Sequence, residues 1–210
     1  MLISNFLQFV QSKGNFIPKT ILDIGSRDLQ QSIEFHSKWP EAKIYAFEPT
    51  PEQFHICNEL AAGYDNIQVY QLAIGDKKGV VDFYKTLGNI GASSLLEPID
   101  IPFSSNQDVE KISVKVDTLE NWMAYANVPK ADILWIDTQG TELLALKGMG
   151  SSLRDVKFLH CEASPQAYYK GHGLKIDLEQ FLMDEGFALE FHPCLHPYGE
   201  GDIFAVNTRI

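Results

Sequence analysis

Thr20-Ile21-Leu22-Asp23-Ile24-Gly25-Ser26-Arg27-Asp28 is an apolar run that ends in an acid and a glycine and gives way to a helical pattern. In an open α/β sheet, a parallel strand delivers its carboxyl end to a nucleotide-like ligand in this way. About 23 residues after Gly25, a second apolar run, Ile44-Tyr45-Ala46-Phe47, ends in Glu48-Pro49. An acid at the tip of the second strand, roughly 20 residues on, is where a Rossmann-type domain grips a ribose. Ribose binding by Glu48 is therefore a better reading than a solvated surface acid.

Outward from those two strands the pattern alternates strand and helix. The strand at 20–25 leads to a helix over 28–39, with Leu29, Ile33 and His36 on one face and Pro40 ending it. After the strand at 43–48, Thr50-Pro51-Glu52-Gln53 predicts a capping box with proline at the first helical position, opening a helix to Ala62. A third strand over 67–73 runs into the turn-forming Gly75-Asp76-Lys77-Lys78-Gly79. Strands at 80–84 and 112–116 follow, separated by more than 20 residues that include Gly88, Gly91, Ser93, Ser94, Pro98 and Pro102. A connection that long is usually functional or disordered. Asp117 to Glu120 predicts another capping box.

Asp132-Ile133-Leu134-Trp135-Ile136-Asp137 is nearly unbroken in its apolar character, as a strand buried on both faces must be. A helix over 140–147, a strand over 156–162 and a helix capped at Asp177, with Ile176 and Phe181 as a hydrophobic staple, complete the rhythm. Strands at 187–192 and 202–207 have no helix between them and should form an antiparallel hairpin. Residues 2–13 read as an amphipathic helix, with Leu2, Phe6, Phe9 and Val10 on one face, that covers the core or acts as a lid. The whole is expected to be one domain, 1–210, with 1–19 as a lead-in and 77–116 as an insertion.

The 210 residues carry a net charge of −11, with 45% hydrophobic and 21% charged residues, the balance of a globular protein. An acidic surface repels phosphate backbones, which argues against a nucleic-acid partner. No apolar run approaches the ~20 residues that span a bilayer, so no membrane partner is expected. The first residues lack a basic stretch and a small-residue cleavage site, and no signal peptide is expected. Cys57, Cys161 and Cys194 are odd in number and far apart, which suits reduced thiols in the cytoplasm. No metal is expected: the histidines and cysteines never fall at ligand spacing, and His192 and His196 lack a third partner.

The loop after the first strand has only Gly25, not the G-x-G-x-x-G of nicotinamide-cofactor domains. The D-x-G of Asp23-Ile24-Gly25, taken with Glu48, resembles S-adenosylmethionine-dependent methyltransferases. Asn66 to Asp76, Gly91-Ala92-Ser93-Ser94-Leu95, Val116 to Leu119 and Asp132 to Gly148 are similar, in that order, to the FkbM-type members. The resemblance covers roughly residues 18–165. It implies a Rossmann-like class I methyltransferase fold, α/β, with a mostly parallel seven-stranded sheet, helices on both faces and a C-terminal antiparallel hairpin. It implies S-adenosyl-L-methionine as cofactor, with Asp23, Gly25 and Ser26 beside its methionine part and Glu48 and Pro49 at the ribose. Ala73 to Asp76 would lie by the adenine, and Asp137 would face the sulfonium and the substrate. Ser93 and Ser94 would lie over the site. Two positions depart from the family pattern: Leu29 stands where glycine is usual, and Gln139 replaces the acid of Asp-x-Glu-Gly.

Methyl transfer is an in-line displacement that depends on alignment. An alcohol acceptor also needs a proton acceptor within about 3 Å. Asp137 is the first candidate for that base, its alternative role being the cap of the helix after it. Glu162 ends the fifth strand, where ligands of open sheets bind, and His160 lies two residues back on the same side. A buried structural role suits His160 better than catalysis. Gln139, Tyr168, Tyr169 and His172 could contact a small-molecule or sugar-like acceptor, although residues 165–173 read equally as a surface loop. O-methylation of such an acceptor is the expectation; the alternatives are a nicotinamide-dependent oxidoreductase on a related fold and a non-catalytic cofactor-binding module.

Overall fold

The computed structural model describes residues 2–99, 108–194 and 199–210; Pro102, His196, Pro197 and the side chain of Leu2 lie outside the described set. The chain runs α1 (Leu2–Ser12), β1 (Thr20–Ile24), α2 (Gln30–Lys38), β2 (Lys43–Phe47), α3 (Pro51–Ala61), β3 (Ile67–Tyr70) and β4 (Ala73–Ile74). It continues β5 (Gly79–Thr86), β6 (Val109–Asp117), α4 (Leu119–Tyr125), β7 (Ile133–Ile136) and α5 (Glu142–Lys147). It closes with β8 (Phe158–Ala163), α6 (Lys175–Asp184), β9 (Phe187–Pro193) and β10 (Gly201–Asn207).

Seven strands form the main sheet in the order β3-β2-β1-β7-β8-β10-β9. β1, β2, β3, β7 and β8 are parallel, and β10 runs antiparallel to both β8 and β9. Chain order reverses on either side of β1, between β2 and β7, and ligands of open α/β sheets bind in that crevice, outside the carboxyl ends of the strands. Period-two alternation sends Leu22, Ile24, Leu134 and Ile136 to one core and Ile21, Ile133 and Trp135 to the other. Phe6 of α1 is buried in the second core, edge-on to Trp135 at 5.6 Å and Phe204 at 5.4 Å, so α1 covers the sheet. Among the described residues no helix is long and apolar enough to cross a membrane.

Local details differ from the sequence expectation where side chains were recruited elsewhere. The strand expected over 67–73 breaks after Tyr70 in a tight turn, Leu72 N to Tyr70 O at 2.9 Å. Ala73–Ile74 then cross to a second sheet, β4-β6-β5. Thr50 precedes α3 but makes no side-chain cap, because its hydroxyl donates to Glu48 instead. At α4 the cap is Thr118, one residue later than expected, accepting from Asn121 N. Asp177 sits in the first turn of α6, its carboxylate accepting from Leu174 N, and Ile176 is exposed rather than stapled.

Candidate active site

The tip of β1 is held by backbone. Gly25 N and Ser26 N both donate to Phe47 O of β2 at 3.0 Å. Gly25 has φ +89°, and a Cβ there would run into the carbonyl of Asp137. Only glycine lets the tips of β1 and β7 approach this closely. Asp23 is fully buried beneath the loop, where its Oδ2 accepts from Ser26 Oγ at 2.9 Å and Ser32 Oγ at 2.6 Å. Burial pushes its carboxyl up to about 6 against those two bonds. Asp23 and Ser26 thus tie β1 to α2 from behind and are absent from the cleft wall. Leu29 adopts φ 63°, the backbone of the glycine it replaces, and its side chain is buried in the α1-side core. A left-handed residue costs about 1–2 kcal/mol, and burying a leucine returns about 1.5–3 kcal/mol, so the substitution is tolerated.

At the tip of β2, Glu48 Oε1 accepts from Thr50 N at 2.8 Å and Thr50 Oγ1 at 2.6 Å, and Oε2 accepts from Arg27 N at 3.2 Å. The carboxyl is buried, which raises its pKa, while these donors oppose the rise. It is thereby fixed in one orientation on the wall of a cleft of about 770 Å3. Leu72, Ala73, Ile74 and Phe83 make an apolar end of that cleft; Glu48, Arg27 and Asp137 supply its charge. Pro49 and Ser93 line it as well, Ser93 Oγ being bonded to Thr86 N at 3.0 Å. Asp76 is exposed beyond β4 and does not reach the wall.

A second cavity, of about 930 Å3, adjoins the first, and Gln139 lines both. Its walls come from the insertion (Thr86, Asn89, Ala92, Pro98), the tip of β8 (Glu162) and residues 168–172. The insertion and the segment after β8 are laced together: Ile99 N donates to Tyr168 O and Lys170 N to Glu97 O, both at 2.8 Å. Tyr168 and His172 both line this cavity, and His172 Nδ1 accepts from Tyr168 N at 3.2 Å.

Where the cavities meet, the Gln139 amide joins two carboxylates, Nε2 donating to Asp137 Oδ1 at 2.9 Å and to Glu162 Oε2 at 2.7 Å. Tyr169 Oη orients the amide from the other side, 3.3 Å from Gln139 Oε1 and 2.9 Å from Ala92 O. Gln139 itself is left-handed, φ 54°, and Ser94 Oγ holds its carbonyl at 2.8 Å. Burial raises the pKa of both carboxyls, and Asp137 raises Glu162 further. Asp137 faces the first cleft and Glu162 the second cavity. Glu142, in the first turn of α5, accepts from Thr138 N at 2.9 Å and Gly140 N at 3.0 Å, so the helix-start role weighed for Asp137 is taken by Glu142. His160 is fully buried, stacked on Trp135 at 3.6 Å and bonded to Asp202 Oδ1 at 2.8 Å, and lines neither cavity.

Arg27 and Glu142 escaped the sequence reading as site residues. Glu142 had a visible signal, an acid just inside a helix start. Arg27 had none, because its relevance depends on contacts across the fold, as does the hold of Tyr169 on the Gln139 amide.

The first cleft suits an adenosyl group joined to an amino acid: its glycine floor leaves the backbone bare, its buried acid sits at a strand tip, and its apolar and charged ends are separate. The FkbM methyltransferase domain matches residues 23–189 of this chain. The 2-O-methyltransferase NoeI of Sinorhizobium fredii is 29% identical over 200 residues, which span 90% of this chain and 80% of that protein. Among solved structures, precorrin-6y C5,15-methyltransferase from Geobacter metallireducens aligns with a TM-score of 0.52 at 13% identity, over 97% of this chain and 86% of that one. Aeropyrum pernix fibrillarin, crystallised with natively bound S-adenosyl-L-methionine, aligns with a TM-score of 0.53 at 15% identity, over 90% and 67%. These likenesses are to methyltransferases, and the nicotinamide alternative is set aside. The chain has the class I methyltransferase fold, takes S-adenosylmethionine as its cofactor, and belongs to the FkbM family of methyltransferases.

Proposed function

We propose that the protein methylates a hydroxyl of a small molecule or sugar unit bound in the second cavity. The observation that carries this reading is the meeting of two cavities at Gln139, with a carboxylate on each side of it. The 2-O-methyltransferase activity named for NoeI supports oxygen as the acceptor atom. S-adenosylmethionine supplies an electrophilic methyl group on a sulfonium sulfur.

The chain's own residues bind, align and accept a proton. Glu48 holds the ribose hydroxyls with Pro49 beside it, Gly25 and the loop set by Asp23 and Ser26 carry the methionine part, and Ala73 lies by the adenine. The role once expected for Asp76 falls instead to Leu72 and Phe83. Asp137 and Glu162 take the hydroxyl proton as a pair, Asp137 from the cofactor side and Glu162 from the acceptor side. Glu162 Oε1 has no hydrogen-bond partner among the described residues, which leaves it open to the acceptor. Gln139 spaces the two carboxylates, and Ser94 and Tyr169 hold Gln139. Ser93 braces the insertion, while Tyr168 and His172 contact the acceptor. His160 acts from below through Asp202 and packing. The same reading treats 1–210 as one catalytic domain with 77–116 inserted, and puts it in the cytoplasm, for which the unpaired Cys57, Cys161 and Cys194 are the support.

Calorimetric titration with S-adenosylmethionine and S-adenosylhomocysteine, with Glu48→Ala beside the parent, tests the cofactor site. Transfer of labelled methyl to a hydroxyl panel tests the acceptor. A cofactor affinity unchanged by Glu48→Ala would refute its role. Parent-level transfer by both Asp137→Ala and Glu162→Gln would refute theirs.

A further inference from the structure

The second cavity is lined by acids with no basic partner among its described residues. Its described lining includes Glu142, Glu162 and Glu200, and no lysine or arginine. His172, its remaining ionisable imidazole, is pushed below its ordinary pKa by burial and brings no positive charge at neutral pH. Asp137 and Asp202 stand behind the wall, and together with Glu142 and Glu200 they hold the Glu162 carboxyl up. The lysines nearest in sequence are committed elsewhere: Lys170 pairs with Glu97 at 2.7 Å and Lys175 with Glu179 at 2.5 Å. Burial likewise raises Glu142, to about 7, so these carboxyls already resist charging; an anionic group entering here would lose its water, find no cation to pair with, and raise them further.

The remaining lining is of another kind. The rings of Tyr168, Tyr169 and His172 sit close together, with His172 5.8 Å from Tyr169 and 6.1 Å from Tyr168. The Tyr169 hydroxyl is used internally, so that residue offers a ring face. Carboxylate oxygens that accept hydrogen bonds, beside flat aromatic faces, suit the hydroxyls and the C–H face of a saturated ring.

We infer that the second cavity selects its acceptor by charge: it takes a polyhydroxylated ring that is neutral or bears an amine, and rejects the same ring bearing a carboxylate or phosphate. This rests on the second cavity being the acceptor site.

Saturation-transfer NMR on the protein, with and without S-adenosylhomocysteine, would compare methyl glucoside, methyl glucosaminide, methyl glucuronide and glucose 6-phosphate. The neutral and amine-bearing rings are expected to bind about tenfold or more tightly than the two anions. Glu200→Lys should narrow that gap from both sides, improving the glucuronide and weakening the glucosaminide. Equal binding of anionic and neutral rings, or a gap that Glu200→Lys leaves unchanged, would overturn the charge rule. Binding of none of the four rings would overturn the ring class. Failure of the acceptor-site reading looks different: rings would bind as expected, but Gln139→Ala and Glu162→Gln would leave labelled-methyl transfer untouched.

Discussion

The two adjoining cavities are built in opposite ways. The cofactor cleft is made largely from strand tips, β1, β2, β4 and β7, whose side chains are aimed by the backbone that carries them. The second cavity is made largely from the insertion and a segment after β8, joined by Pro98–Tyr169 pairing and the Tyr169–Ala92 bond across 77 residues of chain. Strand-tip geometry is set by the sheet ladder and tolerates little change. Loop-built geometry rests on a few side-chain bonds and can be altered without unfolding the sheet. On the proposed assignment, cofactor binding and choice of acceptor rest on largely different parts of the chain, and the insertion reaches both, since Phe83, Ile90, Gly91, Ser93 and Leu95 line the first cleft.

Separate construction predicts separable defects, and the largest should be at the junction. Glu162→Gln is expected to lower the rate of transfer by about 100-fold or more while cofactor affinity stays within twofold or so of the parent, since it removes a proton acceptor from the second cavity alone. A matching loss of cofactor affinity by calorimetry would break the division between cavities. Gly25→Ala should do the reverse. Its Cβ meets the Asp137 carbonyl and must part β1 from β7, weakening cofactor binding by about 100-fold.

Glu48→Ala comes next. If Glu48 holds the ribose as proposed, the change removes charge-assisted bonds worth about 1.5–3 kcal/mol each and should weaken S-adenosylhomocysteine about 10- to 100-fold. Tyr169 lines the second cavity and not the first, so Tyr169→Phe, which frees the Gln139 amide, is expected to lower the transfer rate about tenfold with cofactor affinity within twofold or so of the parent.

Acidity sharpens the same comparison. Burial raises the Asp137 and Glu162 carboxyls, so the pair stays protonated to a higher pH than ordinary carboxyls near 4–4.5. The rate should therefore climb as pH rises past that ordinary range, and Glu162→Gln should flatten the climb. Stability should run the other way at Asp23. Its folded pKa of about 6 lies above its unfolded value of 3.8, so the native state binds the extra proton between them and stability falls as pH rises through that window. Urea unfolding at stepped pH should show the fall, and Asp23→Asn should lessen it. The smallest effect is expected at Leu29→Gly, which relieves left-handed strain but empties a core position, a net loss of about 1 kcal/mol by the same method.

The strands, the sheet class and the acid at the tip of β2 were legible in the chain itself. An apolar run ending in Asp23-Ile24-Gly25 can hardly be anything but a buried strand tip, and Glu48 follows at the spacing one crossover helix requires. The terminal hairpin was legible for a similar reason: too few residues separate its strands for a crossover. Such features are written in a few adjacent residues. Caps were read less well, at Thr50 and Asp177, because a hydroxyl or carboxylate near a helix start has competing partners.

The assembly of the site was decided by tertiary structure. Nothing local says that the Gln139 amide bridges Asp137 and Glu162, that Tyr169 steadies that amide, or that Leu29 keeps a glycine's backbone while filling the core. His160 and Glu162 share one side of a strand, yet one is sealed under α1 and the other opens to a cavity. The strand's period gives the side of the sheet, and packing from distant segments determines depth. By itself the sequence determined which strands exist and which acid stands at which tip, since hydrophobic period and turn chemistry act between near neighbours. The folded chain alone decided which side chains meet, because hydrogen bonds and burial join residues that chain connectivity leaves far apart.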